Sequence, residues 1–245
     1  MTDTSAGTEA LPNDWSRVLG VVAHPDDLEY GASAALARMS RAGAHVTELL
    51  VTRGEAGIDS IPPEECAPIR MREQEAAGSA VGASGVEFLE FPDGALEYGL
   101  PLRRQLARAI RVHRPDLVIS LNFRESFEEG GSFNHPDHRA LGPALLDAVV
   151  DAANRWMFPD LAQDGLPPWK GVRYVAFANP PHPTHHVELS EADLQAGIAS
   201  LVAHEVYFAN LDQTMDAESF LREIAERNGA AAGVPLAAAF EAIPC

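Results

Sequence analysis

Cysteine is scarce: the 245 residues hold only Cys66 and Cys245. Two cysteines cannot staple a disulfide scaffold, and no CxxC pair offers a thiolate metal site. Basic residues are also few, 18 Lys and Arg against 36 Asp and Glu, giving a net charge of −18. Surfaces that bind nucleic acid are basic, so no nucleic-acid partner is expected. The charge favours solubility, repels anionic surfaces and is silent on fold. Lysine occurs once, at Lys170, a bias we read as genome composition. No run of about 18 apolar residues occurs, so no membrane-spanning helix and no membrane partner are expected. Residues 1–15 are polar and acidic, without the basic and apolar regions of a secretory signal. A reducing, cytoplasmic location is therefore the expectation.

What is present is ordinary for a globular chain: 46% hydrophobic and 22% charged residues. We expect a flexible tail over residues 1–15 and a single domain over 16–245. Short apolar runs at residues 17–23, 45–52, 86–91 and 116–121 read as buried strands. Residues 29–42, 64–81, 100–113 and 136–154 carry helical spacing, and Gly43, Gly82 and Pro115 supply stops. Strand and helix alternating in this way imply an α/β fold: a Rossmann-like, three-layer α/β/α sandwich with a mostly parallel sheet. Residues 155–170, rich in Pro, Gly, Trp and Asp, read as an excursion. Its Trp156, Phe158 and Trp169 have two readings, stacking on a sugar face or packing the loop down, and the second is the expectation. Residues 172–178 and 185–189 are further strand candidates, and 191–203 and 216–228 further helices. The alanine-rich end, 229–245, gives no clear pattern.

In an open parallel sheet, ligands bind beyond the carboxyl ends of the strands. The segments that follow the first four strands are His24-Pro25-Asp26-Asp27, Arg53-Gly54-Glu55, Pro92-Asp93-Gly94 and Asn134-His135-Pro136-Asp137-His138. All four share one edge. Imidazole and carboxylate suit Zn²⁺. A single HPDD could equally be an acidic helix start. A second His-Pro-Asp with a further imidazole, at another strand-to-helix junction, points instead to a catalytic metal site with three protein ligands and an open position. Spacing alone does not tell the role of Asp26 from that of Asp27.

AHPDDLEYG after an N-terminal strand, then TRGEAG, an R-x-x-E helix, FPDG and HPDHR, resembles the PIG-L or LmbE-like deacetylases. These are zinc-dependent N-acetylglucosaminyl deacetylases and relatives from mycothiol and bacillithiol pathways. The resemblance spans residues 17–210. It implies His24, Asp27 and His138 as ligands of Zn²⁺, with Fe²⁺, Mn²⁺ or Co²⁺ compatible with the same donors. It implies Asp26 as general base, His135 as the group that polarises the amide carbonyl or acts as acid, and Asp137 as the partner that holds His135. The substrate would be an N-acyl amino sugar or glycoconjugate.

Other assignments follow less directly. Arg70, Arg53, Glu55 and Asp93 are expected to contact substrate, with Arg72 competing for Arg70's role. The alternative for Arg70 is an ion pair with Glu73 at i,i+3, and for Asp93 an ordinary turn. In PPHPTHHVEL, His182, His185 and His186 read as a loop entering an edge strand, and the resemblance allows His186 a substrate contact. His204 reads as packed in a helix. Glu125, Glu128 and Glu129 make the loop before HPDH acidic, which should disfavour anionic substrates. Competing readings are a metal-dependent amidase on a non-sugar N-acyl substrate, a two-metal phosphoesterase, and a non-catalytic module. Three ligands are too few for most two-metal centres. No GxGxxG follows the first strand, which weakens dinucleotide binding. A homo-oligomer is compatible with the sequence, which does not fix the number of copies.

Overall fold

Residues 17–22, RVLGVV, bury every side chain but the first, as a strand covered on both faces requires. They form β2 of a computed structural model that describes residues 7–127, 131–211 and 216–245. In chain order the elements are β1 (Glu9–Ala10), β2 (Arg17–Val22), α1 (Ser33–Arg41), β3 (His45–Leu50), α2 (Pro63–Ala80) and β4 (Gly85–Phe88). Then come α3 (Leu100–His113), β5 (Leu117–Leu121), α4 (Pro136–Ala153), α5 (Pro159–Gln163), β6 (Tyr174–Ala178) and β7 (His185–Glu188). The chain finishes with α6 (Glu191–Val202), α7 (Glu205–Ala209), α8 (Ala217–Ala232) and β8 (Ala237–Pro244).

The strands form one eight-stranded sheet in the order β1-β7-β8-β6-β5-β2-β3-β4. Pairing is parallel except around β8, which runs antiparallel to β6 and β7. Side chains alternate faces along each strand. Val18, Val22, Leu50 and Ile119 pack with Leu36, Leu194 and Leu221 on one side. Leu19, Val21, Leu49 and Val118 pack with Leu106, Ile110 and Leu145 on the other. The three-layer α/β/α architecture read from the sequence is thus the one observed.

Chain connectivity reverses direction at β2, which pairs with β3 on one side and β5 on the other. At such a switch point the crossovers leave opposite faces and open a crevice beyond the carboxyl ends. The two His-Pro-Asp segments follow those adjacent strands, so both empty into that crevice.

Three local expectations change. β1 pairs with β7, and Leu11 and Trp15 are buried, so the ordered chain begins before residue 16. Two apolar side chains and an open sheet edge hold this segment down. Helix α1 starts at Ser33, not Glu29, because residues 24–32 close a series of tight turns, including Glu29 N–H to Asp26 C=O at 3.0 Å. The alanine-rich end supplies β8, with Phe240 fully buried between β6 and β7.

Candidate active site

The turn after β2 is tight. Asp26 has φ 88°, a left-handed conformation that Asp tolerates better than most residues. Its N–H donates to Gln74 Oε1 at 3.0 Å, and Asp27 Oδ2 accepts the His24 N–H at 2.9 Å. Gly54, from the loop after β3, packs against this turn. A Cβ there would lie 2.9 Å from Pro25 Cδ, and its φ is +64°.

Three acceptors converge in the crevice. His24 Nδ1 lies 3.3 Å from His138 Nε2 and 3.5 Å from Asp27 Oδ2, and His138 Nε2 lies 3.0 Å from Asp27 Oδ1. Tetrahedral coordination at about 2.0–2.1 Å places ligand atoms about 3.3 Å apart, close to these spacings. The tautomers agree. His138 Nδ1–H donates to Asn134 Oδ1 at 2.8 Å, which leaves the Nε2 lone pair facing inward. His24 Nε2–H points away, to Asp137 Oδ2 at 3.0 Å and Asp93 Oδ1 at 3.1 Å. Lone pairs converging on one point repel unless a cation or proton lies among them. Burial opposes charge on His24, but Asp27, Asp137 and Asp93 outweigh it and push its pKa up to about 12. Burial likewise raises Asp27, yet His138 and His24 hold it well below the usual carboxylate range. By spacing and by tautomer, the donor set fits a divalent cation. His135 sits alongside, with ligand atoms of His24, His135 and His138 all within 4.8 Å of one another.

Around the donors lies a shell that orients them, as metal-binding imidazoles require. Asp137 is fully buried and accepts N–H groups from Gly94 at 2.8 Å and Leu96 at 3.0 Å. Its carboxylate holds His24, not His135 as the resemblance implied. The reason is position: Asp137 lies in the first turn of α4, and its side chain points back toward the loop after β4. Its contact with His135 is through the backbone, Asp137 N–H to His135 Nδ1 at 3.3 Å. That bond caps α4 and leaves the His135 proton on Nε2. Burial, then His24, lowers the His135 pKa, so the ring is a neutral donor.

Asn134 is a further positioning group. Its Oδ1 accepts from His138 and from the His135 N–H, while Nδ2 donates to Asn122 and Arg124 carbonyls. Its place immediately before HPDH was the available signal. Asn134→Ala should lower metal affinity about 10–100-fold, read by competition with a chelating dye. Unchanged affinity would remove Asn134 from the site.

Asp26 stands outside the donor set. Its Oδ2 pairs with Arg70 Nη2 at 3.0 Å, and Oδ1 has no protein partner among the described residues. Burial raises its pKa, Arg70 lowers it, and Asp27 and Glu29 raise it again, to about 7. A base poised near neutrality suits proton transfer.

Arg70 was expected to touch substrate, but it is 2% exposed. Its Nη2 donates to Pro25 C=O at 2.6 Å, and Nη1 to Glu73 Oε2 at 3.0 Å and His204 Nδ1 at 3.3 Å. The Tyr207 ring lies 3.9 Å beneath it. Buried Arg70, Glu73, Gln74 and Ala77 share one face of α2, a spacing that puts polar groups where apolar ones are usual. So the i,i+3 pair with Glu73 is real, and Arg70 aims Asp26. Arg70→Lys keeps the charge and loses the fork. We expect kcat to drop about 10²-fold with KM within about twofold, as for a misplaced catalytic group. An equal rise in KM would mark Arg70 as a substrate contact after all.

Beneath Asp26, Gln74 Nε2 donates to Glu29 Oε1 at 3.2 Å and Glu48 Oε2 at 3.0 Å. Burial, then Glu29, pushes the Glu48 pKa from 4.5 to about 8. A pKa raised on folding means stability that is present at low pH and lost as pH rises through this window. Glu48→Gln should therefore gain in Tm over the parent chain between pH 4.5 and 8. A Tm difference independent of pH would contradict the buried, protonated carboxyl.

Asp93 and Glu55 serve the frame. Asp93 Oδ2 accepts the Ala56 N–H at 2.8 Å while Oδ1 faces His24, so its carboxylate is engaged within the protein. Glu55 takes the Arg53 and Asp93 N–H groups at 3.2 and 3.0 Å, clasping two loops. Arg53 is half-exposed at the crevice and lies 3.8 Å from Glu90. Arg72 is exposed. His186 lies in β7, where Nδ1 meets Thr8 Oγ1 at 3.0 Å, so it secures the N-terminal strand. His204 is fully buried at the start of α7. Glu125 pairs with Arg139 at 3.0 Å; Glu128 and Glu129 lie outside the described residues.

With this geometry in place, comparison with known proteins is decisive at the level of family. The family described as GlcNAc-PI de-N-acetylase matches residues 19–149, which carry both His-Pro-Asp motifs. The chain belongs to the PIG-L family. A 1D-myo-inositol 2-acetamido-2-deoxy-alpha-D-glucopyranoside deacetylase of Kineococcus radiotolerans is 31% identical over 68% of the chain. The chain spans about half that relative's length, 53%. A diacetylchitobiose deacetylase of Thermococcus kodakarensis is 28% identical over 95% of the chain and 85% of its own. The structure of N,N'-diacetylchitobiose deacetylase from Pyrococcus horikoshii superposes with a TM-score of 0.84 at 26% identity, covering 94% of this chain and 85% of that one. The PIG-L match ends at residue 149, so His204 and Tyr207 complete the site from outside it.

Proposed function

We propose that this PIG-L protein is a divalent-metal hydrolase that removes an acyl group, acetyl first of all, from the nitrogen of an amino sugar or glycoconjugate. The observation that carries this reading is the division of labour at the crevice. His24, Asp27 and His138 converge, while Asp26 stands apart on Arg70 with one oxygen unpartnered among the described residues. A merely structural metal would need no such base. The relatives named for N-acetyl sugar substrates support the substrate class.

His24 Nδ1, Asp27 and His138 Nε2 would hold the ion, for which Zn²⁺ suits two imidazoles and a carboxylate. When bound, the ion supplies Lewis acidity toward water and an amide carbonyl, bringing the pKa of water to about 7. Asp26 Oδ1 accepts the proton of the attacking water. His135 Nε2–H would donate a hydrogen bond to the acyl oxygen as negative charge develops there. The C–N bond breaks as Asp26 returns its proton to the departing nitrogen, giving a carboxylic acid and a free amine. Arg70 keeps Asp26 aimed throughout. Asp93 and Asp137 fix the His24 ring.

A two-metal phosphoesterase would need a second set of donors. His24, Asp93 and Asp137 do cluster, but both Asp137 oxygens already accept backbone amides, and the shared member is His24 itself. Acid release from N-acetylglucosamine, its inositol and malate glycosides, N,N'-diacetylchitobiose and p-nitrophenyl phosphate separates the readings. We expect acetate from at least one amide and no phosphate. Phosphate release alone would overturn the proposal.

A further inference from the structure

The 155–170 excursion lies beyond the PIG-L match and on the edge of the sheet opposite the crevice, beside the C-terminal ends of α3 and α4. It borders a concavity of ≈ 560 Å³ lined by Arg114, Arg155, Pro168, Trp169, Lys170 and their neighbours, a size usual for small-ligand sites. No Asp or Glu lines it. The chain carries twice as many acidic as basic residues, so three cations in one hollow stand against its overall field. None of the three side chains has an ion pair or hydrogen bond among the described residues. Of the acidic side chains in the adjoining segments, Asp151 is held by Arg103 at 2.9 Å, Asp160 by Arg104, and Asp116 by the N–H groups of Ser16 and Arg17.

The walls are built and not merely exposed. Buried Arg111 donates to the carbonyls of Ala152, Asp151, Asn154, Met157 and Phe158, which anchors the start of the excursion. It also meets the carbonyl end of α4, so the outer cations are not needed there. Trp169 Nε1–H donates to Pro115 C=O at 2.7 Å, and its N–H to Ala152 C=O at 2.9 Å. Gly171 admits the indole, since a Cβ there would come within 2.2 Å of it. Arg114 lies over that ring, 4.6 Å from its centroid.

We propose that this hollow binds a multiply charged organic anion bearing a flat ring. The anionic group is met by Arg155, Lys170 and Arg114, which can form charge-assisted hydrogen bonds. Trp169 and the guanidinium stacked on it supply flat faces on which a ring can lie.

The test is calorimetric titration of the metal-loaded protein with AMP, inorganic phosphate and adenosine. AMP should bind saturably, phosphate more weakly, and adenosine not at all. Arg155→Glu with Lys170→Glu should weaken AMP at least about tenfold while amide hydrolysis is unchanged, both residues being exposed. Arg227→Glu, at an exposed arginine outside the hollow, should leave AMP binding as it was. The proposal is overturned if AMP does not saturate, or binds no better than phosphate. It is overturned equally if the double variant binds AMP unchanged, or Arg227→Glu weakens it as much.

Discussion

Asp26→Asn should cut turnover by about 10²–10⁴-fold, the usual worth of a positioned general base, and leave the metal in place. The substitution is nearly isosteric. Its side-chain oxygen can still face Arg70 Nη2, which lies 3.0 Å from Asp26 Oδ2, and its N–H can still reach Gln74 Oε1 at 3.0 Å. What disappears is the capacity of Oδ1 to take and return a proton. Asp26 contributes no atom to the close contacts among His24, Asp27 and His138, so metal per chain by elemental analysis should match the parent protein. The informative result is the pair: lost kcat with retained metal. Full activity would move the base elsewhere. Loss of metal together with activity would place Asp26 among the ligands.

His138→Ala should do the reverse first and then abolish activity. It removes one of three converging donors, and the resulting two-ligand site should hold the ion far more weakly. A ligand that binds only the folded state stabilises it by about 2.7 kcal/mol at 100 times its Kd. Added Zn²⁺ should therefore raise the Tm of the stripped parent protein by several degrees and leave that of the variant nearly unchanged. The variant should still fold, because His138 is one side chain at the sheet's edge and the cores around Leu36 and Leu106 do not include it. A variant that retains both the zinc-dependent Tm shift and turnover would refute its role as ligand.

The motifs and the strand–helix alternation were legible because they are local. HPDD and HPDH each follow an apolar run, and strand order then brought them together at β2 and β5. The orientation of side chains was not legible. The family resemblance makes Arg70, in its R-x-x-E pattern, a pocket residue, but burial turns it toward Asp26. Asp137 was assigned to its sequence neighbour His135 and serves His24 instead, because a carboxylate in the first turn of a helix can reach back to the preceding layer of loops. Glu55 and Asp93 spend their oxygens on amides that only the folded loops bring near. Strand β8 is illegible for a different reason. Its AAAFEAIP sequence has weak strand propensity, and its place between β6 and β7 comes from pairing with distant strands. His204 and Tyr207 reach the site from a helix of five residues, too short to leave a periodic signal.

The proposed function rests on one metal ion, held by His24, Asp27 and His138, that makes amide hydrolysis possible. Its most direct test is to strip the protein with chelator, add Zn²⁺ in increments, and follow acetate release from N,N'-diacetylchitobiose and the inositol glycoside of N-acetylglucosamine. Stripped protein should release none, and release should then rise linearly and saturate near about one equivalent per chain, as a three-ligand site requires. Full release in the presence of chelator, or saturation only at two equivalents, would contradict it.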